Sequence, residues 1–169
     1  TAVQAFRSVA HPHWCGFNEH LDFDYDSEQD LLDGVIVERI RVGTPARGVA
    51  LLHLHGGMYC AGNPEMDRVL NAPIARATGA EVVSVDYRLA PEHPHPAAVE
   101  DSTTAYRWLL DQGFAADRMA ISGDSAGGGL TVSTLLKLRD DGVALPVAGV
   151  TISPWVDMEG IGESMRTNA

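Results

Sequence analysis

The chain of 169 residues is long enough for one domain with a buried core, and its 45% hydrophobic and 21% charged residues exclude a disordered or fibrous protein. Its 12 basic and 23 acidic residues give a net charge of −11, which disfavours nucleic acid as a partner. No apolar run reaches the roughly 18–20 residues that cross a bilayer, and two cysteines make no disulfide framework. We therefore expect a cytoplasmic protein that needs no membrane.

Apolar runs and helical spacings alternate along the chain. They predict helices at 66–78, 97–112 and 125–140, and strands at 35–42, 49–54, 81–85, 119–122 and 147–152. The strands from residue 49 onward are continuously apolar, which is typical of strands buried on both faces, and 147–152 is the fourth of these. This order predicts an α/β protein whose mostly parallel sheet is flanked by helices.

Residues 1–34 give weaker signals. Residues 3–9 can form a helix, and six acidic residues follow between 22 and 33. Their spacing matches the ligand positions of an EF-hand loop, but Ser27 stands where that loop needs glycine, so a solvated acidic segment is the favoured interpretation. Leu21, Phe23 and Tyr25 alternate with these acids, which predicts an edge strand or a contact with a segment that covers the site.

The sharpest local signal is the sequence G-D-S-A-G at 123–127, between a predicted strand and a predicted helix. A G-x-S-x-G at such a turn is typical of a nucleophilic serine, because the turn exposes Ser125 and the helix N-terminus directs free N–H groups at a reacting carbonyl. The alternative is a glycine-rich turn that binds phosphate or nothing, although the lysine of a Walker A loop is absent. We expect Asp124 to brace the turn.

A second glycine motif, H-G-G-M at 55–58, follows the strand 49–54. Ester hydrolysis needs backbone N–H groups that hold the developing oxyanion, and in a serine hydrolase one comes from the residue after the nucleophile. The motif therefore predicts an oxyanion hole formed by Ala126 together with the loop of Gly56 and Gly57. We expect His55 to orient this loop and not to act as the catalytic base.

Two other interpretations of this second motif compete. His53 and His55 are two residues apart on a strand, so they share a face and could bind a metal. No histidine follows His95 to complete a multi-histidine site, so we predict no metal. The other interpretation is a structural turn in which the backbone satisfies His55.

Four motifs occur in a specific order: H-G-G at 55–57, D-Y-R-L-A-P-E-H-P-H-P-A-A at 86–98, G-D-S-A-G-G at 123–128, and S-P-W-V-D at 153–157. Together they resemble the hormone-sensitive-lipase-like branch of the α/β-hydrolases, the bacterial family IV carboxylesterases. The resemblance implies an α/β-hydrolase catalytic domain at 35–169 and an N-terminal cap segment at 1–34. It also implies a cofactor-free serine carboxylesterase that hydrolyses short-chain acyl esters through an acyl-enzyme on Ser125.

The resemblance identifies Gly57, Met58 and Ala126 as oxyanion donors. The family usually has glycine at the position of Met58. Because the backbone N–H is retained while the methionine side chain needs space, we predict a functional hole with a changed acyl pocket.

The acid and histidine of a catalytic triad are expected after the serine in this fold, but no histidine follows Ser125. The resemblance places both beyond residue 169, so we expect a sheet that is incomplete at its C-terminal end and an isolated span that is nearly inactive. Asp157 as the acid, and His93 or His95 as the base, are weaker alternatives. The expected partners are a small-molecule ester and either the missing C-terminal part or a second copy forming a homodimer.

Two further functions are compatible with these motifs. One is a non-catalytic protein that binds a small molecule on the same fold, and the other is a hydrolase of lactones or amides. A downstream acid and histidine would favour an enzyme over the binding protein, and the composition of the acyl pocket would separate the two kinds of hydrolase.

Overall fold

The computed structural model describes residues 1–163 and residue 167; the remaining residues of the predicted catalytic domain, 164–166, 168 and 169, lie outside the described residues. The described part contains six strands in one sheet: β1 (Asp26–Leu32), β2 (Val35–Arg41), β3 (Ala50–Leu54), β4 (Glu81–Asp86), β5 (Met119–Asp124) and β6 (Ala148–Ile152). Its α-helices are α1 (Ala2–Cys15), α2 (Arg68–Thr78), α3 (Ala97–Asp111) and α4 (Ser125–Asp140).

The spatial order of the strands is β1-β2-β4-β3-β5-β6. The four strands from β3 onward are parallel to one another, and the antiparallel pair β1 and β2 joins them at one edge, where β2 is antiparallel to β4. The predicted α/β architecture with a mostly parallel sheet is confirmed. The sheet begins with β1 at Asp26, before the expected start of the catalytic domain at residue 35.

The chain runs from β3 to β4 on one side of β3 and then crosses to β5 on its other side. In open parallel sheets, ligands bind where the strand order reverses, beyond the carboxyl ends of the strands. β3 and β5 are direct neighbours here, with Leu54 paired to Gly123. The two glycine motifs that follow these strands therefore lie side by side.

The core lies on both faces of the sheet. The larger apolar cluster includes Leu52, Val83 and Ile121 from the sheet, and Leu109 and Leu130 from α3 and α4. A smaller cluster packs beneath α2. α2 ends where Gly79 adopts a left-handed φ of 66°, as expected for a helix C-cap.

One expectation about the edges of the sheet is wrong. All five residues of β6, predicted to be buried, are exposed, because β5 pairs with one edge of β6 and no described strand pairs with the other. The opposite edge has an edge strand as expected, but this strand, β1, begins after Leu21, Phe23 and Tyr25, which pack against the smaller cluster. No helix in the described ranges has the length and apolar character required to span a bilayer.

Candidate active site

The junction of β5 and α4 forms a tight turn around Ser125, which we call the serine turn (residues 123–129). Ser125 has a φ of +50°, in the left-handed region that non-glycine residues rarely adopt. A Cβ on Gly123 would lie 2.2 Å from the carbonyl oxygen of Gly127, and one on Gly127 would lie 1.9 Å from that of Leu54. Both glycines of the motif are therefore required by the close approach of neighbouring backbone.

The N-terminus of α4 is directly behind Ser125. Its N-cap residue, Asp124, makes no side-chain capping bond, so the first N–H groups of the helix have neither an intrahelical partner nor this cap. The carbonyl of Ser125 itself accepts a 2.8 Å bond from the N–H of Trp155. Ser125 is partly exposed and Ala126 is buried, so the turn presents its serine beside the positive end of a helix.

The loop after β3, which we call the glycine loop (residues 55–62), is also tightly wound. The carbonyl of Gly57 accepts the N–H groups of Cys60 and Ala61 at 3.0 and 2.9 Å. Gly57 has a φ of 122°, and a Cβ there would lie 2.1 Å from the Ala61 carbonyl oxygen. Met58 and Tyr59 follow with left-handed φ values of 56° and 58°. The Met58 side chain is 51% exposed, so its backbone strain is not offset by burial.

The carboxyl group of Asp124 lies between the serine turn and the glycine loop. A Cβ on Gly56 would lie 2.3 Å from Asp124 Oδ2, so only glycine allows this approach. Burial, together with the nearby charge of Asp67, raises the pKa of Asp124, and the backbone N–H of Gly56 partly offsets that rise. The N–H of Gly56, expected to be an oxyanion donor, thus faces the Asp124 carboxylate.

His55 is fully buried at the start of the glycine loop. Its Nδ1 lies 2.7 Å from the carbonyl oxygen of Gly56, and its ring stacks on Tyr87 with centroids 4.0 Å apart. The Tyr87 hydroxyl donates to the His55 carbonyl at 2.7 Å. Burial lowers the pKa of His55 to about 4, so the ring is neutral at pH 7 and Nδ1–H is the donor to Gly56.

His53 has different partners, although it is only two residues away. Its Nδ1 lies 2.9 Å from Ser122 Oγ, and its Nε2 lies 3.1 Å from Asp67 Oδ2. The groups that gather within metal-binding distance of His53 are Asp67 and Asp124. The two rings thus bond to different protein groups, through both nitrogens of His53 and through Nδ1 of His55, and the absence of a metal shared by them stays a prediction.

Sequence reasoning missed Asp67 and Tyr87, which fix the two histidines. Asp67 belongs to no motif and reaches His53 only because α2 begins beside β3. Tyr87 could have been found, since it lies in the D-Y-R-L-A-P block that carried the resemblance.

The weaker alternatives for acid and base have other surroundings. The Asp157 carboxylate accepts the backbone N–H groups of Glu159, Gly160 and Gly162 at 3.1–3.2 Å, so it closes a local turn. His93 and His95 line a cavity of about 420 Å³ whose wall does not include Ser125. That cavity is also lined by Tyr59, Arg88, Ala90, Ala98, Val99, Ser133 and Met158.

Comparison with known proteins finds esterases among the proteins that are similar to this chain. A family model described as an alpha/beta hydrolase fold matches residues 51–169. An acetyl-hydrolase of Streptomyces hygroscopicus is 50% identical over 125 residues, which cover 73% of this chain and 42% of that protein. An esterase of Acinetobacter venetianus is 36% identical over 137 residues, which cover 81% of this chain and 45% of that protein.

The fold agrees with these similarities. A solved esterase of the bacterial hormone-sensitive lipase family superposes with a TM-score of 0.92 at 43% identity, and the match covers 99% of this chain and 56% of that one. The chain thus spans less than half the length of the two curated relatives and just over half of the solved structure.

Proposed function

This chain belongs to the α/β-hydrolase fold family, in its hormone-sensitive-lipase-like branch, and on that premise we propose that the whole protein is a serine carboxylesterase of short-chain acyl esters. The observation that carries the proposal is the left-handed Ser125, held between a helix N-terminus and the glycine loop by glycines that admit no Cβ. Such a turn exposes the hydroxyl while leaving backbone N–H groups around it. A phosphate-binding turn would not require the serine itself to adopt this strained conformation.

In the proposed reaction, Ser125 Oγ attacks the ester carbonyl and the negative charge develops on the carbonyl oxygen. The N–H groups of Gly57, Met58 and Ala126 stabilise that oxyanion, and loss of one such donor typically costs a factor of ~10²–10³ in rate. Gly56 is proposed as a positioning residue, because its N–H faces Asp124. Collapse of the oxyanion expels the alcohol, and water then hydrolyses the acyl group on Ser125.

The general base must accept the Ser125 proton and return it to the leaving alcohol. His53 is bonded through both ring nitrogens, and His55 is buried and neutral with Nδ1 committed to Gly56. We therefore propose that the triad acid and histidine lie in the whole protein beyond these 169 residues. Residues 1–163 supply the nucleophile and the oxyanion donors.

We also propose that residues 1–34 form a cap segment. Arg7 of α1 bonds the carbonyl oxygens of Cys60 and Ala90 at 2.6 and 2.9 Å and the carboxylate of Glu92 at 2.8 Å. One side chain thereby attaches the N-terminal helix to the glycine loop and to the proline-rich loop at 87–96, which contains Ala90 and Glu92. The cytoplasmic location and the association with a second copy or a C-terminal part stay predictions.

The test compares hydrolysis of p-nitrophenyl acetate by the full-length protein, its Ser125→Ala variant and the control Ser8→Ala. Ser8 lies on α1 and bonds the carbonyl of its own helix, so its removal leaves turnover unchanged. Loss of the nucleophile is expected to lower kcat by a factor of about 10⁶. A fluorophosphonate probe is expected to label the peptide containing Ser125, found by mass spectrometry.

Retention of turnover in Ser125→Ala would overturn the proposal. A folded full-length protein that neither hydrolyses the ester nor reacts with the probe would instead identify the non-catalytic binding protein. Equal turnover of p-nitrophenyl acetate and of a long-chain p-nitrophenyl ester would contradict the short-chain preference alone.

A further inference from the structure

A second cluster of chemically active side chains lies away from Ser125, where the end of α1 meets the turn before α2. His11 and Cys15 of α1 and Glu65 of this turn each offer one ligand atom, and the three atoms lie within 4.8 Å of one another. His11 Nε2 is 3.3 Å from Glu65 Oε2 and 3.7 Å from Cys15 Sγ. The cluster joins imidazole, thiol and carboxylate, the three groups that proteins use for zinc.

The two separations from His11 Nε2 to its neighbours are close to those of a tetrahedral zinc site. With Zn–N and Zn–O distances near 2.1 Å, a Zn–S distance near 2.3 Å and tetrahedral angles, ligand atoms are about 3.4 Å apart for nitrogen and oxygen and about 3.6 Å for nitrogen and sulfur. The two separations of His11 Nε2, 3.3 and 3.7 Å, match these values. Cys15 Sγ is also 3.9 Å from His11 Nδ1, so the sulfur lies alongside the imidazole ring, and the ring must rotate before Nε2 can share a cation with it.

The backbone already holds the ligands in place. His11 and Cys15 are four residues apart on α1, so they project from the same face of the helix. The side-chain amide of Asn18 donates to the Glu65 carbonyl at 2.8 Å, which fixes the turn against the segment that follows α1. Metal binding therefore loses little additional conformational entropy, because the fold already holds the two chain segments together.

The two carboxylate oxygens of Glu65 face different groups, and Oε2 is the one on the side of the cluster. Arg68 lies 3.7 Å from Glu65 Oε1, while Oε2 faces His11. Arg68 is itself committed to Glu38, with an Nε bond of 2.8 Å. Burial and the Glu65 charge raise the pKa of the Cys15 thiol, so without a cation the cluster holds a neutral thiol.

We propose that His11, Cys15 and Glu65 bind a Zn²⁺ ion that fastens the N-terminal helix to the turn preceding α2. Binding replaces the thiol proton: the Cys15 S–H bond breaks, a sulfur–zinc bond forms, and one proton is released to solvent. The neutral imidazole of His11 and the ionised carboxylate of Glu65 complete three positions, and the fourth is left to water. The role is structural and is independent of the proposed esterase reaction.

The experiment uses Co²⁺ as a spectroscopic substitute for zinc, added to the reduced full chain under anaerobic conditions. A thiolate ligand gives a charge-transfer band in the near ultraviolet, and a tetrahedral site gives intense visible bands. Both are expected to saturate at one Co²⁺ per chain and to disappear when Zn²⁺ is added. Cys15→Ser is expected to abolish the charge-transfer band, and His11→Gln and Glu65→Gln to weaken Co²⁺ binding at least about tenfold.

Two matched variants serve as controls. Cys60→Ser removes the other thiol of these 169 residues, and His13→Gln removes an exposed histidine of the same helix that contacts Trp14 and Phe17. Both are expected to keep the bands, and circular dichroism verifies that every variant is folded. A band that persists in folded Cys15→Ser overturns the proposal. So does the absence of a thiolate band from the unmodified chain, including the case in which Co²⁺ binds His53 and its carboxylates instead.

Discussion

The two sides of the serine turn differ in how they are built. On one side, the glycine loop is fixed by buried groups, since His55 stacks on Tyr87 and both bond to neighbouring main chain. On the other side, β6 and the segment after it expose apolar side chains, among them Val150, Ile152 and Trp155. The two sides therefore hold Ser125 in different ways: buried side chains fix the glycine loop, whereas the segment after β6 reaches the serine turn through a main-chain bond from Trp155 to Ser125.

The largest expected effect comes from Gly127→Ala, at the contact between the two glycine motifs. Its Cβ would lie 1.9 Å from the carbonyl oxygen of Leu54, a main-chain atom of β3 that cannot move without distorting the sheet. We expect the free energy of unfolding to fall by about 3 kcal/mol, at the upper end of the usual cost of overpacking. Urea denaturation followed by circular dichroism measures this change.

Gly16→Ala is the matched control. Gly16 has an ordinary φ of −59°, and a Cβ there would meet no atom within 4 Å. We expect this variant to be stabilised by roughly 0.5 kcal/mol through loss of unfolded-state entropy. Equal destabilisation by the two variants would refute the contact between β3 and the serine turn.

The second-largest effect is expected from acidification, which should lower the free energy of unfolding through His55 on the glycine-loop side. The folded-state pKa of His55 is about 4, below its ordinary value of 6.5, so the unfolded chain binds a proton that the folded chain excludes. Stability is therefore fully present above pH 6.5 and is lost as the pH falls toward 4. The shift corresponds to about 3 kcal/mol at most.

Urea unfolding at pH 7 and pH 4.5 tests this linkage. The difference between the two pH values is expected to shrink markedly in His55→Gln and to be unchanged in His20→Gln, which replaces an exposed histidine. A pH difference that His55→Gln leaves intact would show that other groups cause the acid sensitivity.

The smallest change in the free energy of unfolding is expected on the β6 side. The same substitution, valine to alanine, is compared at an exposed position of β6 and at a buried position of β4. Val150 of β6 is 48% exposed, whereas Val83 of β4 is fully buried. Val83→Ala is expected to cost about 2 kcal/mol through lost burial and the cavity left behind. Val150→Ala is expected to stay within about 0.5 kcal/mol of the parent chain. Comparable costs in urea denaturation would show that β6 is as firmly packed as the interior strands.

Much of the fold could be predicted from the sequence because burial in a parallel sheet leaves a clear pattern. The strands at 35–41, 50–54 and 81–86 and the helix at 125–140 agree with their predictions to within about one residue. The alternation at 21–25 indicated an edge strand, but the bounds of β1 at 26–32 were not predicted, because charged, exposed strand residues lack that pattern. β6 was wrongly expected to be buried, because an apolar run does not reveal whether a second strand covers its edge.

The candidate site was predictable where the chemistry requires a fixed local spacing. Ser125 and the two glycine motifs are each contiguous in sequence, so their turns are encoded by adjacent residues. The partners of the buried histidines are set by tertiary packing instead: Asp67 reaches His53 from the start of α2, and Asp124 faces Gly56 across two strands. No local pattern specifies such pairs.

The bond from the Trp155 amide to the carbonyl of Ser125 couples distant parts of the chain. If Ser125 relaxed toward an ordinary right-handed φ, the peptide plane that follows it would rotate and this bond would break. The left-handed conformation of Ser125 is thus stabilised by a main-chain hydrogen bond from the segment after β6, and no side chain takes part in this bond.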